Sequence, residues 1–335
     1  MANVSKSRIP GSGRKALGAV VACVLLAACA SQPEYSADLP LENAGYLPEP
    51  DITVQIPSLS SCTSSRDTDL RLNSEQPVTV IVHGCFASEG RFRSLADVFA
   101  FHGQQTLCFD YNDRDSLEVS SAELIRSLEA LSTVLKTPTI QVIGHSQGGL
   151  VARRALTQER ADRLVADNAV VTLTTISAPF GGIEAASHCG SEALAWLSLG
   201  LVKPVCLIVT GEKYKEIPPG SDFMLHPGRL LPFVDRHLKI VTDEKNSCRK
   251  YSDKSECIED DYVFSLLEQD QPAIEGDVSL EEITVKSGHI EIVGDVTISP
   301  TKLIEILQRE GILLETPADS KASLELLLAR LYQMP

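Results

Sequence analysis

Cationic charge is scarce in this chain: 30 Lys and Arg stand against 45 Asp and Glu over 335 residues, a formal net charge of −15. So acidic a surface repels nucleic acid and anionic membrane faces, which removes both as charge-driven partners. A long apolar run is also missing. The amino-terminal run, residues 16–28, falls short of the roughly 20 residues that a spanning helix needs. A second apolar stretch, residues 193–201, is broken at Lys203-Pro204. Nine cysteines are present, yet no two are spaced C-x-x-C and their intervals fit no zinc pattern, so neither a metal nor a cofactor is implied. No internal repeat is visible. What the chain does have is 43% apolar residues against 22% charged, enough to build a sizeable core and to exclude wholesale disorder.

The amino terminus has the grammar of an export signal. Lys6, Arg8, Arg14 and Lys15 precede the apolar run, and residues 1–28 hold no acid. The run ends Leu26-Ala27-Ala28-Cys29. This resembles the bacterial lipobox, and the resemblance implies cleavage before Cys29 and acylation of that cysteine. Two or three acyl chains anchor stably where one does not. Ala30, in place of an Asp, points to the outer membrane. The expected location is therefore the bacterial envelope, with the membrane as partner through the lipid anchor. Residues 29–60 read as a tether and an early strand, with Pro33, Pro40, Pro48 and Pro50 in a stretch that has no period.

An exported chain meets an oxidising compartment, so cysteine pairs are expected. Cys248 and Cys257 close a short polar loop and form the first candidate pair. Cys189 and Cys206 flank one apolar segment and form the second. Cys62, Cys85 and Cys108 leave one thiol over, and the sequence does not say which.

Short β-branched runs alternate with helical stretches, which predicts a mainly parallel sheet. Strands are expected over 51–56, 78–82, 106–109, 139–143, 170–176, 238–241 and 283–285. Helices are expected over 120–135, 150–156, 301–309 and 320–331. Residues 61–312 form the main domain, and 313–335 a C-terminal helix. Between about 183 and 236 the pattern turns irregular and proline-rich, which reads as a cap inserted between strands.

Gly144-His145-Ser146-Gln147-Gly148 sits between a strand and a helix. A serine on so tight a turn has strained backbone angles and needs small neighbours two residues either side. The turn lifts its hydroxyl above the sheet and puts the Gln147 N–H at a helix start, aimed at a developing oxyanion. Gly144–Gly149 with Leu150, Ala152 and Arg153 resembles the nucleophile elbow of bacterial lipases and related α/β-hydrolases. Val80-Ile81-Val82-His83-Gly84 resembles their strand ending in His-Gly. Thr175–Gly182 resembles the segment after the next strand, except that Phe180 replaces a histidine. The resemblance implies an α/β-hydrolase fold, a mainly parallel central sheet with helices on both faces and a helical or irregular cap.

It also implies a set of roles. Ser146 is the nucleophile. The oxyanion donors are the backbone N–H groups of Gln147 and Cys85, with Phe86 as the fallback for Cys85. His83 is structural. Triads of this fold run Ser, acid, His, and His289, in Ser287-Gly288-His289 beyond the last strand, is the base. Glu259-Asp260-Asp261-Tyr262-Val263 resembles the lipase stretch that carries the acid, which points to Asp261. Asp260 and Asp243 remain open, with Asp277 and Asp295 behind them. The implied activity is hydrolysis of a carboxylic ester, lipid or otherwise. Acyl transfer by the same triad, and a non-catalytic lipid-binding or envelope module on the same fold, stay as alternatives. Acyl chain, leaving group and oligomeric state are left open.

Overall fold

A computed structural model of the chain describes residues 41–63, 68–84, 89–166, 169–187, 211–295 and 298–332, with the backbone alone for 89–91. Eleven strands are named among them: β1 (Ile52–Val54), β2 (Leu59–Ser60), β3 (Leu70–Leu72), β4 (Val78–Val82), β5 (Gln105–Phe109), β6 (Thr139–His145), β7 (Val170–Ile176), β8 (Val234–Asp243), β9 (Cys248–Tyr251), β10 (Cys257–Asp260) and β11 (Leu280–Lys286). Seven of them form one sheet in the order β11-β8-β7-β6-β4-β5-β2. Every pairing in it is parallel except β2 with β5. The longer helices are α1 (Glu89–Phe101), α2 (Leu117–Val134), α3 (Gln147–Ala155), α4 (Thr301–Arg309) and α5 (Lys321–Leu331).

The alternation of side chains along each strand divides the core in two. Val78, Val80 and Val82 of β4, Leu107 and Phe109 of β5, and Ile140 and Val142 of β6 pack with Leu124, Leu128 and Leu131 of α2 and Leu150 and Val151 of α3. The residues between them, Ile81, Cys108 and Ile143, point the other way. They meet Phe92, Leu95 and Phe99 of α1, Leu303 and Leu307 of α4, and Leu327 and Leu328 of α5. Both faces are covered, so β4 and β5 are buried at every position. That is why these strands read as continuous apolar runs and not as alternating ones. Each fully buried Leu, Val or Phe contributes about 1.5–3 kcal/mol over an exposed one.

The structure differs from the sequence reading in several places, three of them in the fold's smaller elements. The stretch 51–56 yields only β1, which pairs antiparallel with β3 outside the main sheet. Its flank is tied down by Asp51, which accepts from Ser74 N (2.6 Å) and Ser74 Oγ (2.7 Å). Helix α1 went unread, although Phe92, Leu95, Ala96 and Phe99 fall on one helical face. The polar loop between Cys248 and Cys257 is an antiparallel hairpin, β9–β10. Its expected disulfide is present. A second bridge joins Cys62 to Cys108, with both residues buried. Cys29, Cys85, Cys189 and Cys206 lie outside the described residues. Among those residues no helix is long and apolar enough to cross a membrane.

One core residue is out of character. Asp97 of α1 is fully buried and accepts from Glu42 N at 2.7 Å. Burial pushes its carboxyl from 3.8 up to about 6, against the pull of backbone donors and Arg93. A folded-state pKa raised in this way contributes stability that is complete below the unfolded pKa and is lost as pH rises through about 6. Asp97→Asn keeps an acceptor and removes the titration. The expected outcome is a variant that gains stability relative to wild type between pH 4 and pH 7.5, by no more than about 3 kcal/mol. Denaturant midpoints at the two pH values check it, and a difference that does not change with pH would refute it.

Candidate active site

Three residues follow the carboxyl ends of strands in the parallel part of the sheet, the end at which open α/β sheets bind ligands. The first is Ser146, between β6 and α3. Its backbone is at φ 56°, ψ −125°, a conformation a non-glycine residue adopts at a cost of about 1–3 kcal/mol. The turn is held from outside: Ser146 N donates to Ile176 O of β7 at 2.8 Å. Gly148 is required because a Cβ there would lie 2.2 Å from Val82 O and 2.4 Å from His83 O. The start of α3 is thus pressed on the end of β4. A Cβ on Gly84 would meet Ser146 Cβ at 3.0 Å, so the His-Gly loop runs directly beside the serine. His83 stacks on Tyr111, whose hydroxyl donates to His83 O at 2.7 Å. Cys85 lies outside the described residues.

The second is His289, three residues past β11. Its ring lies 4.7 Å from that of His145, the residue before the serine, and 4.9 Å from Phe264, edge to face. His145 Nε2 and the His289 carbonyl are 3.1 Å apart. The base candidate is thereby fastened to the nucleophile turn through its own backbone.

The third is Glu244, which the sequence reading did not name. It follows β8 directly and is buried. Its Oε1 lies 2.9 Å from His289 Nδ1 and accepts from Thr242 Oγ1 at 2.9 Å. Its Oε2 accepts from Val263 N (2.6 Å) and Phe264 N (2.7 Å). An ionised carboxylate only accepts, so in this contact the proton belongs to Nδ1. Ser177 extends the chain: its hydroxyl is 2.6 Å from that of Thr242.

Asp261, the expected acid, does not reach the imidazole. Its carboxylate caps the turn after Gly288, accepting from Ile290 N (3.0 Å) and Glu291 N (2.9 Å). Its carbonyl accepts from His289 N at 3.0 Å. Burial pushes its carboxyl above the ordinary range, and those two N–H groups pull it partly back. Gly288 is explained here too, since a Cβ on it would overlap Asp261 Oδ2. Asp261 therefore holds the loop that carries His289, and Glu244 holds the ring. The other candidates are engaged elsewhere. Asp243 pairs with Lys286, Asp260 accepts from Tyr262 N, Asp277 pairs with Arg153, and Asp295 pairs with Arg249. Phe180, which stands in place of a histidine, is buried with its ring edge-on to His237. Gln147 is buried, and its side-chain amide donates to Asp113 O at 3.0 Å. Among the described residues no group of three or more His, Cys, Asp or Glu is placed to hold a metal ion.

The Glu244 contact had a signal in the sequence. Neighbouring residues at a strand end point to opposite sides, and Asp243 with Glu244 ends the strand before the cysteine hairpin. The fold accepts Glu as well as Asp in this role. The assignment has a direct check in the proton spectrum. Glu244→Gln is expected to lose the strongly deshielded Nδ1 proton of His289, and Asp261→Asn to retain it. Loss of that signal in Asp261→Asn alone would reverse the two roles.

Comparison with family models matches residues 73–213 to the one described as "Putative serine esterase (DUF676)". The match contains Ser146 and ends before Glu244 and His289. No curated protein sequence matches the chain. Among solved structures, a Bacillus licheniformis lipase in its propeptide form superposes with a TM-score of 0.49 at 16% identity, over 73% of this chain and 52% of that one. The chain thus spans about half the length of that lipase. A Pyrococcus furiosus esterase gives 0.45 at 13% identity, over 85% and 98%. A Thermogutta terrifontis esterase with butyrate bound gives 0.43 at 14% identity, over 78% and 97%. The parallel sheet with helices on both faces and the serine on its strand-to-helix turn give this chain the α/β-hydrolase fold, and its residues 73–213 are similar to a family described as serine esterases.

Proposed function

We propose that the protein is a serine hydrolase of carboxylic esters. The observation that carries this reading is the junction of the strained Ser146 turn with His289, whose Nδ1 is held by buried Glu244. Ser146 Oγ attacks the ester carbonyl carbon while His289 Nε2 takes its proton. Glu244 fixes the tautomer and stabilises the imidazolium that results. The negative charge passes to the carbonyl oxygen, which the Gln147 and Cys85 N–H groups would face. Collapse of this intermediate expels the alcohol, which receives the proton from His289, and leaves an acyl group on Ser146. Water, deprotonated by His289, then releases the acid and restores the serine. Exposed Tyr262, Val263, Leu266 and Leu267, in the segment that includes Phe264, favour a substrate with an apolar acyl group.

Turnover of p-nitrophenyl esters and labelling by a fluorophosphonate test the chemistry. Ser146→Ala is expected to abolish both. Glu244→Gln should lower kcat by roughly 10²–10⁴ with KM little changed, as the wrong tautomer does in triads generally. Undiminished turnover in Ser146→Ala would overturn the assignment.

The reading extends to location. Residues 1–40 lie outside the described structure, and the support is the charge pattern and the run Leu26–Cys29. The enzyme is anchored to the bacterial envelope by acylation of Cys29. Cys29→Ser is then expected to leave an unprocessed precursor that takes up no radiolabelled palmitate, and palmitate incorporation into that variant would disprove the anchor.

A further inference from the structure

A buried lysine sits where the hydrolase reading gives it nothing to do. Lys213 lies in the 3-10 turn Glu212–Lys215 and is 3% exposed. Desolvating an ammonium costs several kcal/mol unless good acceptors surround it. An apolar side chain of similar length would fill the space at lower cost. The acceptors are specific. Lys213 Nζ donates to Asp113 O at 2.5 Å and to Gln147 Oε1. Gln147 Nε2 donates to the same Asp113 carbonyl at 3.0 Å. Ammonium, amide and carbonyl therefore close a triangle, and only one orientation of the Gln147 amide satisfies it.

The platform under Lys213 is fastened on several sides. Glu212 N donates to Arg114 O at 2.7 Å, and Glu216 N to Lys213 O at 2.9 Å. The Glu216 carboxylate accepts from Ser116 Oγ (2.7 Å) and Leu117 N (2.5 Å), which ties the turn to the start of α2. Ile183 N donates to Ile217 O at 2.8 Å, which ties it to the segment after β7. Lys213 is thus held in register with the nucleophile turn.

Gln147 is the residue after Ser146 and the first of α3. Its backbone N–H is one of the donors that a helix leaves without an intrahelical partner. On the hydrolase reading, that N–H faces the oxyanion. We propose that Lys213 is a positioning residue for the oxyanion donor: by pinning the Gln147 side chain it fixes the direction of the Gln147 N–H before substrate arrives. A preset donor costs no reorganisation in the transition state, and that is where such a contact acts. Ground-state binding gains little from it.

The inference rests on the hydrolase reading, and the test separates the two. Steady-state kinetics with p-nitrophenyl acetate are measured for wild type, Lys213→Met, Gln147→Met and the double variant, together with inhibition by a trifluoromethyl ketone and melting midpoints. Removal of a whole oxyanion donor costs about 10²–10³ in kcat. Loss of its positioning is expected to cost about 10–30-fold in kcat, with KM within about twofold. The inhibition constant should rise by the factor by which kcat/KM falls. Because the two residues act as one unit, the double variant should be no slower than the slower single variant. Lys213→Arg, which keeps the charge, should recover part of the loss. Should Lys213→Met fail to fold, Gln147→Met breaks the same contact from the other side and Lys213→Arg still reports on it. Unchanged kcat in either Met variant, a loss confined to KM, or a double variant whose losses multiply would overturn the proposal while leaving the hydrolase standing. A wild-type protein that neither turns over ester nor takes the fluorophosphonate overturns both.

Discussion

The Glu244 carboxylate is the contact on which the rest of the site depends. It is buried, and its four hydrogen bonds come from three parts of the chain: Thr242 in β8, the Val263 and Phe264 amides beyond the cysteine hairpin, and the His289 ring beyond β11. A buried carboxylate is tolerable only with such a complete set of donors. Each donor is thereby held in place by the others' need for it. Phe264 is fixed by its own N–H, and its ring then packs edge-on against the imidazole that the same carboxylate orients. One charge positions both the ring and the wall behind it.

The sheet makes this convergence possible. Ser146, Glu244 and His289 all follow strands at their carboxyl ends, and the strands are parallel neighbours in the order β11, β8, β7, β6. Parallel register brings the ends level, so residues nearly 150 positions apart in the chain arrive at one edge. The two-sided core holds the strands rigid. Valines at alternate positions of β4 face α2 and α3, and Ile81 faces α1 and α4. The strained serine needs that rigidity, because its turn is held by a β7 carbonyl on one side and by close approach to β4 on the other.

The parts legible in sequence are those whose physics is local. β4 and β7 carry dense β-branched runs, and their bounds match the structure. The elbow shows itself through its glycines, because the clash at Gly148 is a property of the turn. β8 runs four residues earlier and two later than its apolar stretch suggests. The reason is that Arg236, His237 and Lys239 are polar residues within the strand. Lys239 is buried there against Glu275 and Glu282, and His237 lies against Thr175. Such pairings are tertiary and leave no periodic trace. The acid failed for the same reason. Asp261 is next to His289 in space and contacts its loop by three hydrogen bonds, so its neighbourhood was read correctly. Which carboxylate meets the ring and which meets the backbone depends on the hairpin's path, and composition does not encode that path.

The β9–β10 hairpin acts as a spacer. Glu244 precedes it and Asp261 follows it, and both serve His289: one through the ring, the other through the loop backbone. Their separation is set by β9 and β10, which the Cys248–Cys257 bridge joins at their ends. Arg249, paired with Glu259 across the hairpin, also reaches Asp295 beyond the histidine loop. A free loop of this length would let the two carboxylates drift independently, at the entropic cost of ordering it each time the site assembles. A closed hairpin makes them one body. On the hydrolase reading, the disulfide lies outside the chemistry and yet bears on it, because it ties together the segments that carry Glu244 and Asp261, both of which contact the His289 loop.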